Sequence, residues 1–217
     1  MTEGLRERKK RLTRQHISEV ALGLFVARGF DGVTIAEVAA AAEVSVNTVY
    51  NYFDSKEDLV LPPQEASPQR LADIVRAREP GESAAGAVLR RLRQEVRGRE
   101  RQVGLSPGFG RVLEMMLAAP TLAARLESLG RRMTEALAAA LAEEGGAAPD
   151  DRLPRVMAWH IGSVHALVME DIARRTTAGE PPELIAERVL ELLDTVESVL
   201  GERVLGYAVR EERPCSG

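Results

Sequence analysis

Apolar residues along this chain recur every three or four positions, and nowhere do they alternate over a useful length. That spacing predicts helices throughout. Ile17, Val20, Ala21, Leu24 and Phe25 mark one face of a first helix. Arg28 and Gly29 supply its stop, a cation in the last turn and a glycine beyond it. "GFDG" then turns the chain. Thr34, with Glu37 three residues on, forms a capping box for a short second helix faced by Ile35, Val38 and Ala39 and ending near Ala42. Ser45 caps a third helix, Val46 to Tyr52, with Val49 and Phe53 turned inward. Asp54 or Ser55 caps a fourth that begins "KEDLVL" and is broken early by Pro62 and Pro63.

Beyond Pro63, Ser67 and Pro68 open a helix carrying Leu71, Ile74 and Val75. Further helices are expected over about 83–102, from "VGLSPGFG" through Leu117, and over about 121–144, 151–177 and 182–202, with a loose tail after them. The expected fold class is all-α, with about nine helices in total. A three-helix helix-turn-helix domain occupies residues 1–60, and a larger helical domain occupies 61–217.

Composition adds little until its distribution is considered. A net charge of −4 does not advertise a polyanion partner. Yet Arg6, Arg8, Lys9, Lys10, Arg11 and Arg14 face a single acid, Glu7, over positions 6–14. This reads as a flexible basic arm that tracks a nucleic-acid backbone or enters a minor groove, with Arg11 a candidate contact. The one cysteine, Cys215, cannot form an internal disulfide, and no Cys/His cluster has zinc spacing, so no metal or cofactor is expected. No secretory leader is read at the N-terminus and no apolar run is long enough for a membrane span; a cytoplasmic home is expected.

The stretch "VSVNTVYNYF" holds two of the three tyrosines of an aromatic-poor chain. A helix, a tight turn and a second short helix form a helix-turn-helix unit. A helix about 10–12 Å across fits the major groove of B-DNA. Ser45, Asn47 and Thr48 offer base edges short donors and acceptors, and Val46 offers methyl groups to thymine. Tyr50 and Tyr52 reach phosphates with their hydroxyls, and Lys56 opens the next helix, where ammonium and backbone N–H groups share a phosphate.

The segment "RLTRQHISEVALGLFVARGFDGVTIAEVAAAAEVSVNTVYNYFDSKEDLV" resembles the DNA-binding domain of TetR-family transcriptional regulators. The likeness is carried by "ALGLFVARGFDGVTIAEVA", "VSVNTVYNYF" and "SKEDL" in the family's order and spacing. It implies a homodimer on a palindromic operator in double-stranded DNA. It also implies a C-terminal domain of about six helices that binds a small organic ligand, with the last two helices pairing with their copies. By that resemblance Thr34, Ser45, Val46, Asn47, Thr48, Tyr50, Asn51, Tyr52 and Lys56 occupy DNA-contacting positions. The family pattern has glycine where this chain has Glu43. A positive φ there costs a glutamate roughly 1 kcal/mol.

In the second domain, "VMAWHIGSVHALVMEDI" is apolar around most of its circumference, which suits a helix covered on two sides, one of them by a second copy. Ile161, Gly162 and His165 on this helix, with Val189, Leu192 and Val196 on the last one, are the expected dimer interface. Phe109, Leu113, Met116, Met133 and Trp159 are large, adaptable groups expected to line the ligand pocket. No nucleophile–base pair or paired carboxylates support catalysis, so an enzyme is not expected. The expected function is a ligand-responsive repressor released by a small, partly apolar molecule. The alternative class is a helical small-molecule-binding protein or enzyme with a vestigial DNA reader.

Overall fold

The computed structural model describes residues 4–62, 66–106 and 108–211. Cys215, Pro63 and Pro107, the proline of "VGLSPGFG", lie outside these. Among the described residues there are ten α-helices and two 3-10 turns, and no strand. The all-α class is therefore as expected. The chain divides into two compact units, residues 1–66 with 111–125 and residues 67–110 with 126–217. The sequence placed the boundary at 60 and gave the first unit no later segment, because the assignment of 111–125 depends on long-range packing.

In the first unit, α1 (Leu5–Arg28), α2 (Ile35–Ala41) and α3 (Val46–Tyr52) close around Ile17, Ala21, Phe25, Phe30, Val38, Val49 and Phe53, all at most 4% exposed. Each large side chain in this small core contributes roughly 1.5–3 kcal/mol by its burial. Gly29 ends α1 with φ 78, a conformation that a side chain would strain. Two expectations fail here. The basic residues 6–14 are not a flexible arm but turns of α1. The fourth helix at "KEDLVL" is only a 3-10 turn, Glu57–Leu59, and α4 begins at Arg70.

In the second unit, α5 (Ala84–Gly98) packs against α4 (Arg70–Arg76), α8 (Leu153–Thr177), α9 (Pro182–Val199) and the short α10 (Glu202–Leu205). α5 stops earlier than expected, at a left-handed Arg99 with φ 49, and a 3-10 turn follows at Arg101–Val103. α6 (Phe109–Ala118) and α7 (Pro120–Glu144) each contribute residues to both units. The tail is not loose up to residue 211. Gly81 N–H donates to the Arg210 carbonyl at 2.8 Å, and Arg210 N–H donates to the Glu82 carbonyl at 3.0 Å.

Candidate nucleic-acid interface

One reciprocal capping box and one single cap set the geometry of the helix-turn-helix. Thr34 N–H donates to Glu37 Oε2 at 2.7 Å, and Glu37 N–H donates to Thr34 Oγ1 at 3.2 Å. Arg28 Nη2 adds a 2.6 Å ion pair to Glu37 Oε1. The Thr34 backbone N–H first, and then Arg28, hold the Glu37 carboxyl down at about 2. α2 ends in a Schellman motif: Val44 N–H donates to Ala39 O at 3.0 Å and Glu43 N–H to Ala40 O at 3.2 Å. The left-handed residue such a motif requires is Glu43, with φ 55.

Ser45 then caps α3, its Oγ accepting the Thr48 N–H at 3.0 Å and lying 2.8 Å from Thr48 Oγ1. Val49 and Phe53 anchor the helix from below. Its outward face carries Val46, Asn47, Tyr50 and Asn51, with Tyr50 53% exposed. Thr48 and Tyr52 are half-buried on the flanks. The face thus presents two amides, a phenol and a pair of methyl groups on a helix capped at both ends. Ser45 and Thr34, expected as direct contacts, are exposed but already engaged in caps.

Lys56 departs further from expectation. Its Nζ donates to the Phe30 carbonyl at 2.6 Å and sits 4.3 Å from the Phe30 ring centroid. The ammonium is thus tied to the turn that ends α1, and Lys56 opens the 3-10 turn Glu57–Leu59 rather than an α-helix. Arg11 is exposed on α1. One turn on, the Arg14 guanidinium lies over the Phe53 ring at 4.9 Å, joining the basic stretch to the end of α3. No local pattern marks that contact, since Arg14 and Phe53 share no element.

The other expected residues are dispersed. Leu113 and Met116 belong to the first unit; Phe109, Met133 and Trp159 belong to the second. Leu113, Met116 and Met133 are buried, whereas Trp159 is 62% exposed, so it is not an interior pocket residue. A cleft of about 1070 Å³ runs in the first unit past Leu22, Val26, Arg111 and Met115, and one of about 390 Å³ in the second unit runs past Leu105, Thr176 and Ile185. None of the five expected pocket residues lines either cleft. Ile161, Gly162, Val189 and Val196 are buried inside the protomer, with His165 and Leu192 half-buried. A Cβ on Gly162 would stand 2.4 Å from Thr134 Oγ1, so this glycine admits α7 against α8 within one chain. The apolar groups that α8 turns outward are Leu153, Val156, Trp159 and Leu167. For a helix apolar on all sides, periodicity does not say which stripe the chain covers for itself.

No described helix is long and apolar enough to cross a membrane. Residues 17–61 match the family described as bacterial regulatory proteins, tetR family, and residues 99–200 match the MftR C-terminal domain. The chain is 34% identical over 161 residues to the HTH-type transcriptional regulator TcmR of Streptomyces glaucescens, covering 70% of this chain and 69% of the relative. It is 27% identical over 160 residues to the regulator MftR of Mycobacterium tuberculosis, covering 70% and 75% of the two chains. Among solved structures, NalD, the secondary repressor of the MexAB-OprM multidrug efflux pump in Pseudomonas aeruginosa, shares the fold. The TM-score is 0.57 at 18% identity, covering 86% of this chain and 97% of that one. With its capped pair of short helices and a match to TcmR that runs well beyond them, the chain belongs to the TetR family of DNA-binding transcriptional regulators.

Proposed function

We propose that the chain is a ligand-responsive repressor that binds a palindromic operator as a homodimer and is released by a small, partly apolar molecule. The observation that carries the reading is the outward face of α3, where Val46, Asn47, Tyr50 and Asn51 stand on a helix anchored by Val49 and Phe53. The basic first turns of α1, tied to the end of α3 through Arg14 and Phe53, supply the charge for phosphates. Leu153, Val156, Trp159 and Leu167 on α8 offer the second copy an apolar face. Ligand acts by favouring a conformer whose two recognition helices no longer match successive major grooves, roughly 34 Å apart. The protein works in the cytoplasm, where its operator is.

Binding to DNA from upstream of its own gene, titrated against salt, tests this. Affinity for one palindrome should fall steeply as salt rises. Tyr50→Phe should weaken all sequences alike, and Asn47→Ala should relax preference at particular base pairs, where a lost contact is worth about 1–3 kcal/mol. Salt-insensitive binding, or uniform loss from Asn47→Ala, would refute the assignment.

A further inference from the structure

The turn that follows the recognition helix is tied down from three directions within the first unit. Ser18 Oγ on α1 donates to the Leu59 carbonyl at 2.8 Å. Lys56 Nζ donates to the Phe30 carbonyl at 2.6 Å. The third tie comes from the first turns of α7. Arg125 Nη1 donates to Ser55 Oγ at 3.1 Å, and its Nη2 pairs with Asp58 Oδ1. Asp58 is no surface carboxylate, being only 4% exposed. Its Oδ2 accepts the Ser55 N–H at 3.0 Å, and Ser55 Oγ accepts the Asp58 N–H at 3.3 Å. A buried carboxylate therefore fixes the entry to the 3-10 turn and takes its counter-charge from a residue 67 positions away. Removing one partner of such a pair leaves a buried charge alone, which is far costlier than losing a surface bridge.

We infer that Arg125 is a positioning residue for DNA recognition: by clamping Ser55 and Asp58 it fixes where α3 ends. Phe53, the C-cap of α3, is buried, and only Asp54 separates it from the clamped Ser55. The turn has no length in which to absorb a displacement. The ties from Ser18 and Lys56 join the turn to elements that precede it. Arg125 joins it to a helix that starts at Pro120 and continues to Glu144. A shift of the first turns of α7 is thus transmitted to the end of the reader. The inference rests on α3 being the DNA-facing helix.

The test uses the full chain and a labelled DNA fragment from upstream of its own gene. Binding is measured beside hydrogen exchange of the backbone amides for Arg125→Gln, Arg125→Lys, Ser55→Ala and the swap Arg125→Asp with Asp58→Arg. Asn47→Ala with Tyr50→Phe is the control for the reader itself. Arg125→Gln should lose about tenfold in affinity. Its amides 55–59 should exchange faster while those of α2 keep their protection. Arg125→Lys should restore most of the affinity, and the swap part of it. Arg125→Gln binding within about twofold of wild type, while the reader control loses binding, would overturn the positioning role alone. Unchanged binding in both would overturn the DNA-facing assignment as well. Loss of protection throughout α2 would make Arg125 a general stabiliser and equally refute the proposal. Should Arg125→Gln fail to fold, Ser55→Ala decides, since it keeps the ion pair and removes one of the guanidinium's hydrogen bonds. About threefold weaker binding supports the clamp, and unchanged binding refutes it.

Discussion

Glu43 holds a left-handed backbone, φ 55, in a turn whose two hydrogen bonds both depend on that conformation. A Cβ there is strained, and the exposed carboxylate stands two residues before Ser45, the cap of α3. Replacing it by glycine should relieve the strain and stabilise the first unit by about 0.5–1 kcal/mol, read as a higher Tm. Glu43→Gln keeps the strain and removes the charge. It should leave Tm nearly unchanged while tightening DNA binding most at low salt, so the pair of variants separates backbone from electrostatics. His165 gives a second residue-scale prediction. Burial, and then the nearby Arg70, push its pKa down from 6.5 to about 4. The folded state therefore binds fewer protons than the unfolded one between those values. Stability is complete above pH 6.5 and declines as pH falls toward about 4. Thermal melts of His165→Gln should show a flatter dependence across that window. Glu37 acts lower, its depressed pKa giving stability that is present above 4.5 and lost as pH falls toward about 2.

At the scale of elements, what was legible was local. The Thr34–Glu37 box, the Ser45 cap, the glycine stop at Gly29 and the bounds of α3 are all set by residues within four positions of one another. The first turns of α1 were misread because apolar periodicity is blind to a helix with no core face. Arg, Lys and Leu are strong helix formers whatever they face. The "KEDLVL" segment was misread in the opposite sense. Its cap exists, as the Ser55–Asp58 exchange of hydrogen bonds. A Pro62 four residues beyond Asp58 cannot accept a helical turn there, since its ring would meet that carbonyl. The clamp from Arg125 had no signal in the sequence, being a contact between positions 67 apart. The helix-turn-helix was thus readable in outline, including the outward polar face of α3. The duties of Lys56 and Arg125 depended on partners that only folding brings near.

At the scale of the whole molecule, the six residues expected at the dimer interface turned out to be buried or half-buried in the protomer. In the proposed homodimer, the outward stripe of α8 is the face offered to the second copy. Trp159→Glu should therefore convert dimer to monomer in sedimentation velocity while helical content stays constant. Ile161→Ala, which empties a filled core position, should lower stability by about 2–4 kcal/mol without separating the subunits. Dissociation by Ile161→Ala and not by Trp159→Glu would reverse this assignment of faces.

Trp159 is also the chain's one tryptophan, 62% exposed and edge-on to the His160 ring at 5.2 Å. The protein consequently carries its own optical probe at the proposed contact. An indole that passes from water into an apolar seam shifts its emission to shorter wavelength. Dilution of the native chain should move that emission back to the red, so the assembly constant can be measured on unlabelled protein by reading colour alone.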